Sequence, residues 1–145
     1  MSINTLPKWL IFSVASASFA ALTAIFGKIG VSHINSNLAT FIRTIVILIV
    51  SGLIITSRNE WQKISFESNS DMLFLVLSGI TTGLSWLCYY RALQCGPASK
   101  VAPIDKLSVA ITIALSILIL KEQFSWSIIL GGALIIAGSL VIAIF

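Results

Sequence analysis

Charge is what this chain has least of. Only 10% of its 145 residues are Asp, Glu, Lys or Arg, against about a quarter in soluble domains, and 57% are hydrophobic, with a mean hydropathy of +1.03. Such a chain cannot clothe a water-soluble surface, and the bilayer is the expected solvent. Histidine is nearly absent: His33 stands alone in a connector, so no histidine metal cluster can assemble. Acids number five, and only Asp105 falls in an apolar run, which leaves no pair of intramembrane carboxylates for acid-base catalysis. The nine Lys and Arg give a net charge of +4 but are scattered singly, so there is no basic tract for nucleic acid. The two cysteines, Cys88 and Cys95, lie about 10 Å apart along one helix, too far for a disulfide. They read as small buried hydrophobes.

What is present is long apolar runs. A hydrocarbon core about 30 Å thick needs roughly 20 apolar residues per helix. Trp9 to Gly27, Met72 to Tyr90 and Ser127 to Phe145 are free of charge, Leu38 to Thr56 is long enough once Arg43 is admitted, and Val101 to Leu120 once Asp105 and Lys106 are. The expected fold is therefore all-α: a polytopic integral membrane protein of five helices over about 9–27, 38–56, 72–93, 101–120 and 127–145, forming a single membrane domain over 1–145. The first run exceeds the usual 7 to 15 residues of a signal core, so it is read as an anchored helix.

The connectors fit this division. Asn35-Ser36-Asn37 and Ser68-Asn69-Ser70-Asp71 supply capping side chains, and Gly96-Pro97 breaks the chain after helix three. Trp9, Trp61 and Trp126 fall at proposed helix ends, where amphipathic rings favour the headgroup level. Orientation is undecided by charge: Lys8, Arg58, Lys63 and Lys121 fall on the N-terminal side, and Lys28, Arg91 and Lys100 on the other, with Arg43 and Lys106 deeper.

Several residues call for more than lipid contact. Gly79 and Gly83 form a GxxxG pattern that admits a close neighbouring backbone, and Trp86 and Tyr90 continue that face at helical spacing, either as packing or as walls of a substrate cavity. Asp105, Ser108, Thr112 and Ser116 share one face of helix four, which should turn away from lipid. Pro103 fits best in a first turn, so the helix is expected to start there with Asp105 near its third position, where the helix dipole favours a carboxylate. A substrate or proton role for Asp105 is the alternative. Arg91 and Lys106 either snorkel to headgroups or line a cavity. Arg43, about a turn and a half inside helix two, is expected to pair with Asp105 or line a polar site. This positive surplus suits an anionic or zwitterionic solute. Gly131 and Gly138 in helix five serve packing within or between chains. Gly83-Leu84-Ser85-Trp86-Leu87 lacks the last glycine of a nucleophile elbow, and an enzyme is not expected.

Tyr89-Tyr90-Arg91-Ala92-Leu93, Gly96-Pro97-Ala98 and Val101-Ala102-Pro103-Ile104-Asp105-Lys106-Leu107-Ser108, then Glu122 and the glycine-rich Gly131 to Gly138, resemble the EamA-like domain of the drug/metabolite transporter superfamily, in a short five-helix form covering Trp9 to the C-terminus. The resemblance implies a carrier of small metabolites or drugs that needs no cofactor. Larger relatives have two such repeats of opposite topology; one repeat here implies an antiparallel homodimer. Small multidrug relatives use a glutamate in the first helix, which has no acid here, so that proton-exchange mechanism is disfavoured. The expectation is a secondary transporter of a small polar solute in a bacterial or archaeal cytoplasmic membrane. A non-transporting membrane subunit and a translocator of lipid or lipid headgroups are the rivals.

Overall fold

A computed structural model describes residues 7–62, 69–123 and 125–145. Among these the regular secondary structure is all helical: α1 Lys8–Gly30, α2 Ser36–Ser57, α3 Asn69–Cys95, α4 Ala98–Asp105, α5 Leu107–Ile119 and α6 Trp126–Ile144. The five expected spans are all present, since five helical stretches are long and apolar enough to cross a bilayer, with α4 and α5 together making the fourth, Ala98–Ile119. Large apolar side chains such as Phe12, Leu48, Leu118 and Leu134 are exposed on the chain surface, as expected where lipid is the surrounding medium. Hydroxyls in the helices turn back on their own backbones: Ser13, Thr23, Thr44 and Ser51 each donate to the carbonyl four residues earlier at 2.8 to 2.9 Å, which satisfies them without water.

Local chemistry sets the helix ends. Asn35 caps α2 by accepting from the Asn37 N–H at 2.9 Å. At the other end Asn59 takes a left-handed conformation with φ 51°, allowing the Glu60 N–H to reach the Ile55 carbonyl at 3.0 Å and the Asn59 N–H to reach Thr56 at 3.2 Å, a Schellman closure. Trp61 then donates to the Thr56 hydroxyl at 3.1 Å, and it, Trp9 and Trp126 are exposed at helix ends as expected. The cap expected of Ser68 lies outside the described residues.

Two compact units make up the chain, Met1–Phe26 with Gly96–Phe145, and Gly27–Cys95. In the first, α6 packs on α4 and α5. Gly132 is the close point: a Cβ there would stand 3.0 Å from the Ile113 Cδ1. The expected start of the fourth helix at Pro103 is corrected. Pro97 occupies the N-cap, the helix begins at Ala98, and Pro103 lies in its interior. The break comes at Lys106, whose N–H bonds the Pro103 carbonyl at 3.1 Å, three residues back. Ser139 of α6 donates to the same carbonyl at 2.8 Å. Asp105 is thus the last residue of α4, just before the N-terminus of α5, and Lys106 pairs with it at 3.7 Å.

In the second unit α2 packs along α3. Its buried residues are Gly27, Val31, Ser36, Thr40, Tyr90 and Leu93, with Leu93 at 0% exposure. Both cysteines are free, but they are exposed rather than buried, because the apolar face of a membrane helix is not covered by its own chain. A Cβ at Gly79, Gly83, Gly131 or Gly138 would meet nothing within 4 Å. These glycines therefore make no close approach within one chain among the described residues.

Candidate functional site

The second unit gathers three of the side chains singled out in the sequence. Arg43 lies seven residues into α2, about 10 Å of rise from its start. Its guanidinium sits over the Trp86 ring of α3, 3.2 Å from the ring centroid, with the Tyr90 ring 5.7 Å away. Trp86 and Tyr90 stand one helical turn apart, and their rings meet edge to face at 5.6 Å and 86°. Tyr89 adds a second edge contact to Trp86 at 5.4 Å. A desolvated cation over an indole face gains about 2 kcal/mol, against the roughly 2.5 to 3.5 kcal/mol that an arginine costs at the centre of a membrane helix. The aromatic platform therefore offsets most of the cost of placing a permanent charge in α2, while leaving a planar set of donors that can bind a carboxylate or phosphate.

Gly27, which the sequence reading passed over, makes this arrangement possible. A Cβ at that position would stand 3.0 Å from Tyr90 Cε1, 3.4 Å from its hydroxyl and 3.5 Å from Leu93 Cδ1. The end of α1 can approach α3 only without a side chain there. Gly27→Ala is expected to displace the Tyr90 ring and cost about 1 to 3 kcal/mol, read as a lower unfolding temperature in detergent. Gly79→Ala, which meets open space, should leave that temperature unchanged or slightly raised, since alanine in a helix interior is favoured over glycine by about 0.5 to 1 kcal/mol.

Toward the end of α3 a second set of polar groups surrounds the 31–35 connector. Lys28 donates from Nζ to the Leu93 carbonyl, and Gln94 donates from Nε2 to the carbonyls of Val31 at 3.1 Å and Ile34 at 2.7 Å. Arg91 Nη1 donates to Gln94 Oε1 at 3.2 Å. Gln94 was not anticipated, although an amide near the end of an apolar helix needs partners for all its polar atoms, which was the signal available.

The remaining candidates belong to the first unit. Asp105 and Lys106 pair with each other where α4 gives way to α5. Thr112 donates to the Ser108 carbonyl at 2.9 Å, so its hydroxyl is satisfied by its own helix. Ser108 and Thr112 are exposed on the chain surface, while Asp105 and Ser116 of the same face are half-buried.

Among known proteins, the sequence is 48% identical over 137 residues to an uncharacterised transporter from a Sinorhizobium species, encoded in the cobO 3' region, covering 94% of this chain and 97% of that one. It is 30% identical over 135 residues to an uncharacterised protein of Methanocaldococcus jannaschii, covering 93% and 96%. No solved structure matches. The EamA-like transporter family matches residues 7–144, nearly the whole of the five-span domain with its cation-bearing helices, and the chain belongs to that family of integral membrane proteins.

Proposed function

We propose that this chain is a secondary transporter of a small polar solute, anionic or zwitterionic, in a bacterial or archaeal cytoplasmic membrane. The carrying observation is Arg43 on Trp86, a permanent charge supported by aromatic rings within a membrane span. Intramembrane cations that face a polar cavity commonly mark the path of a substrate. Arg43, Trp86 and Tyr90 form the centre of the proposed solute site. Arg91 lies nearer the membrane surface. Asp105, Lys106, Ser108 and Thr112 belong to the other unit, where the break in a spanning helix is proposed to offer its own contacts to cargo, as discontinuous helices do in other transporters. Membership of a transporter family speaks for transport rather than catalysis.

The test is a comparison of metabolite pools in cells with and without the protein, followed by uptake of the differing solutes into sealed vesicles containing the purified chain. Movement of an anionic or zwitterionic solute that requires Arg43 is the expected result. Lipid scrambling without solute movement would establish the headgroup translocator instead. No movement of either kind would favour a membrane subunit that acts through a partner.

A further inference from the structure

The cavity at the end of the second unit carries charge of one sign. It has a volume of about 330 Å³ and is lined by Lys28, Val31, Ser32, Arg91, Leu93, Gln94 and Cys95. Two of these are cations and none is an acid. Lys28 lies two residues from the end of α1, and Arg91 four residues from the end of α3. Because α2 returns between them, both belong to the same end of the helices, at the level where headgroups meet water. The volume suits a phosphate group with its nearest substituents.

The wall is built rather than adventitious. Leu93 is fully buried, and its carbonyl accepts from Lys28, which fixes the ammonium beside α3. Gln94 fastens the 31–35 connector through two carbonyls and presents its oxygen to Arg91. That bond uses one of five guanidinium donors and orients the plane, leaving further N–H groups in the fork geometry that matches a phosphate.

We infer that this cavity is an anion-binding site for a phosphate group at the membrane surface, with Lys28 and Arg91 as its charged ligands and Gln94 as the residue that positions Arg91. It lies about 7 Å of helix rise from Trp86 toward the end of α3, so it is a site separate from the Arg43 platform. A phosphate can come from a lipid headgroup or from a soluble ion. The inference does not depend on transport, because such a site can be occupied in a chain that carries nothing.

Cys95 lines the same cavity and is exposed and free, so it reports occupancy. In full-length protein carrying Cys88→Ala, Cys95 is the sole thiol. Its rate of modification is measured in uncharged detergent with a sulfonate-bearing and a trimethylammonium-bearing thiosulfonate reagent. With each rate divided by that reagent's rate on a small free thiol, the anionic reagent should react about tenfold faster, because a cationic cleft concentrates it. Inorganic phosphate, or phosphatidylglycerol added to the micelles, should slow the reaction. Protection by the lipid but not the ion assigns a headgroup site, and protection by the ion alone assigns a soluble ligand; both support the inference. Arg91→Gln and Lys28→Gln should each raise the protecting concentration roughly tenfold or more, the effect of losing one charged hydrogen bond. An unchanged rate with a small neutral alkylating reagent shows that each variant keeps the cavity. If Lys28→Gln fails to fold, Arg91→Gln decides alone, since it leaves the Leu93 bond in place. Equal normalised rates for the two charged reagents, protection by chloride as strong as by phosphate, or undiminished protection in Arg91→Gln would overturn the site.

Discussion

Arg43→Gln should lower solute transport by about tenfold to a hundredfold while leaving the amount of folded protein unchanged or raised. The two effects have opposite signs because the charge has opposite values for function and for stability. A hydrogen bond to an ionised group contributes about 1.5 to 3 kcal/mol, and glutamine cannot supply that to an anionic solute. Burying the same charge in a membrane span costs about as much, so its removal relieves the folded state even after the contact with Trp86 is lost. Arg43→Lys keeps the charge but loses the planar fork of donors, and should fall between. Trp86→Phe retains an aromatic face of weaker quadrupole and should transport better than Trp86→Ala. Proteoliposome flux and the yield of monodisperse protein, measured on the same preparations, separate the readings. Poor folding with normal flux per molecule would make Arg43 a structural residue.

The spans were legible because the bilayer imposes a length and excludes charge, and five windows satisfied both conditions. The break at Lys106 was not. A proline inside a helix and a proline at its first turn look alike in sequence, and what distinguishes them here is Pro97 in the N-cap and the Ser139 hydroxyl on the Pro103 carbonyl. Arg43 announced itself by depth alone. Its neighbour did not: the guanidinium lies on Trp86, a contact between α2 and α3 that depends on how two helices are rotated. Trp86 and Tyr90 were correctly placed on one face by spacing. Gly27 gave no signal, since a single glycine without a partner at four residues resembles any other small residue until the ring it accommodates is known. Gln94 was detectable in principle from its unmet hydrogen-bonding capacity, but its acceptors lie about sixty residues away in the 31–35 connector.

Labelling at one loop position should find the protein in both orientations, in comparable amounts. Transporters with two inverted repeats place their site between the halves, and the relatives matched here, like this sequence, align over nearly their full length with a five-span domain. We propose that two copies in opposite orientation supply the two halves. The Lys and Arg distribution permits this: Lys8, Arg58, Lys63 and Lys121 oppose Lys28, Arg91 and Lys100, an asymmetry too slight to fix a topology. The glycines at 79, 83, 131 and 138, open within the chain, are the surfaces on which a second copy can approach closely, since small residues bring backbones together in lipid. The measurement places Asn59→Cys, in the loop after α2, on a background without Cys88 and Cys95, and applies an impermeant thiol reagent to intact cells and then to opened ones. About half the molecules should react at each stage, and crosslinks should join opposed copies. Gly79→Leu with Gly83→Leu should abolish those crosslinks without lowering the yield of folded chain, because a Cβ at either position meets nothing within 4 Å among the described residues. Reaction from one side alone would rule out the antiparallel pair, and the solute site would then have to be completed within one chain or by a parallel partner.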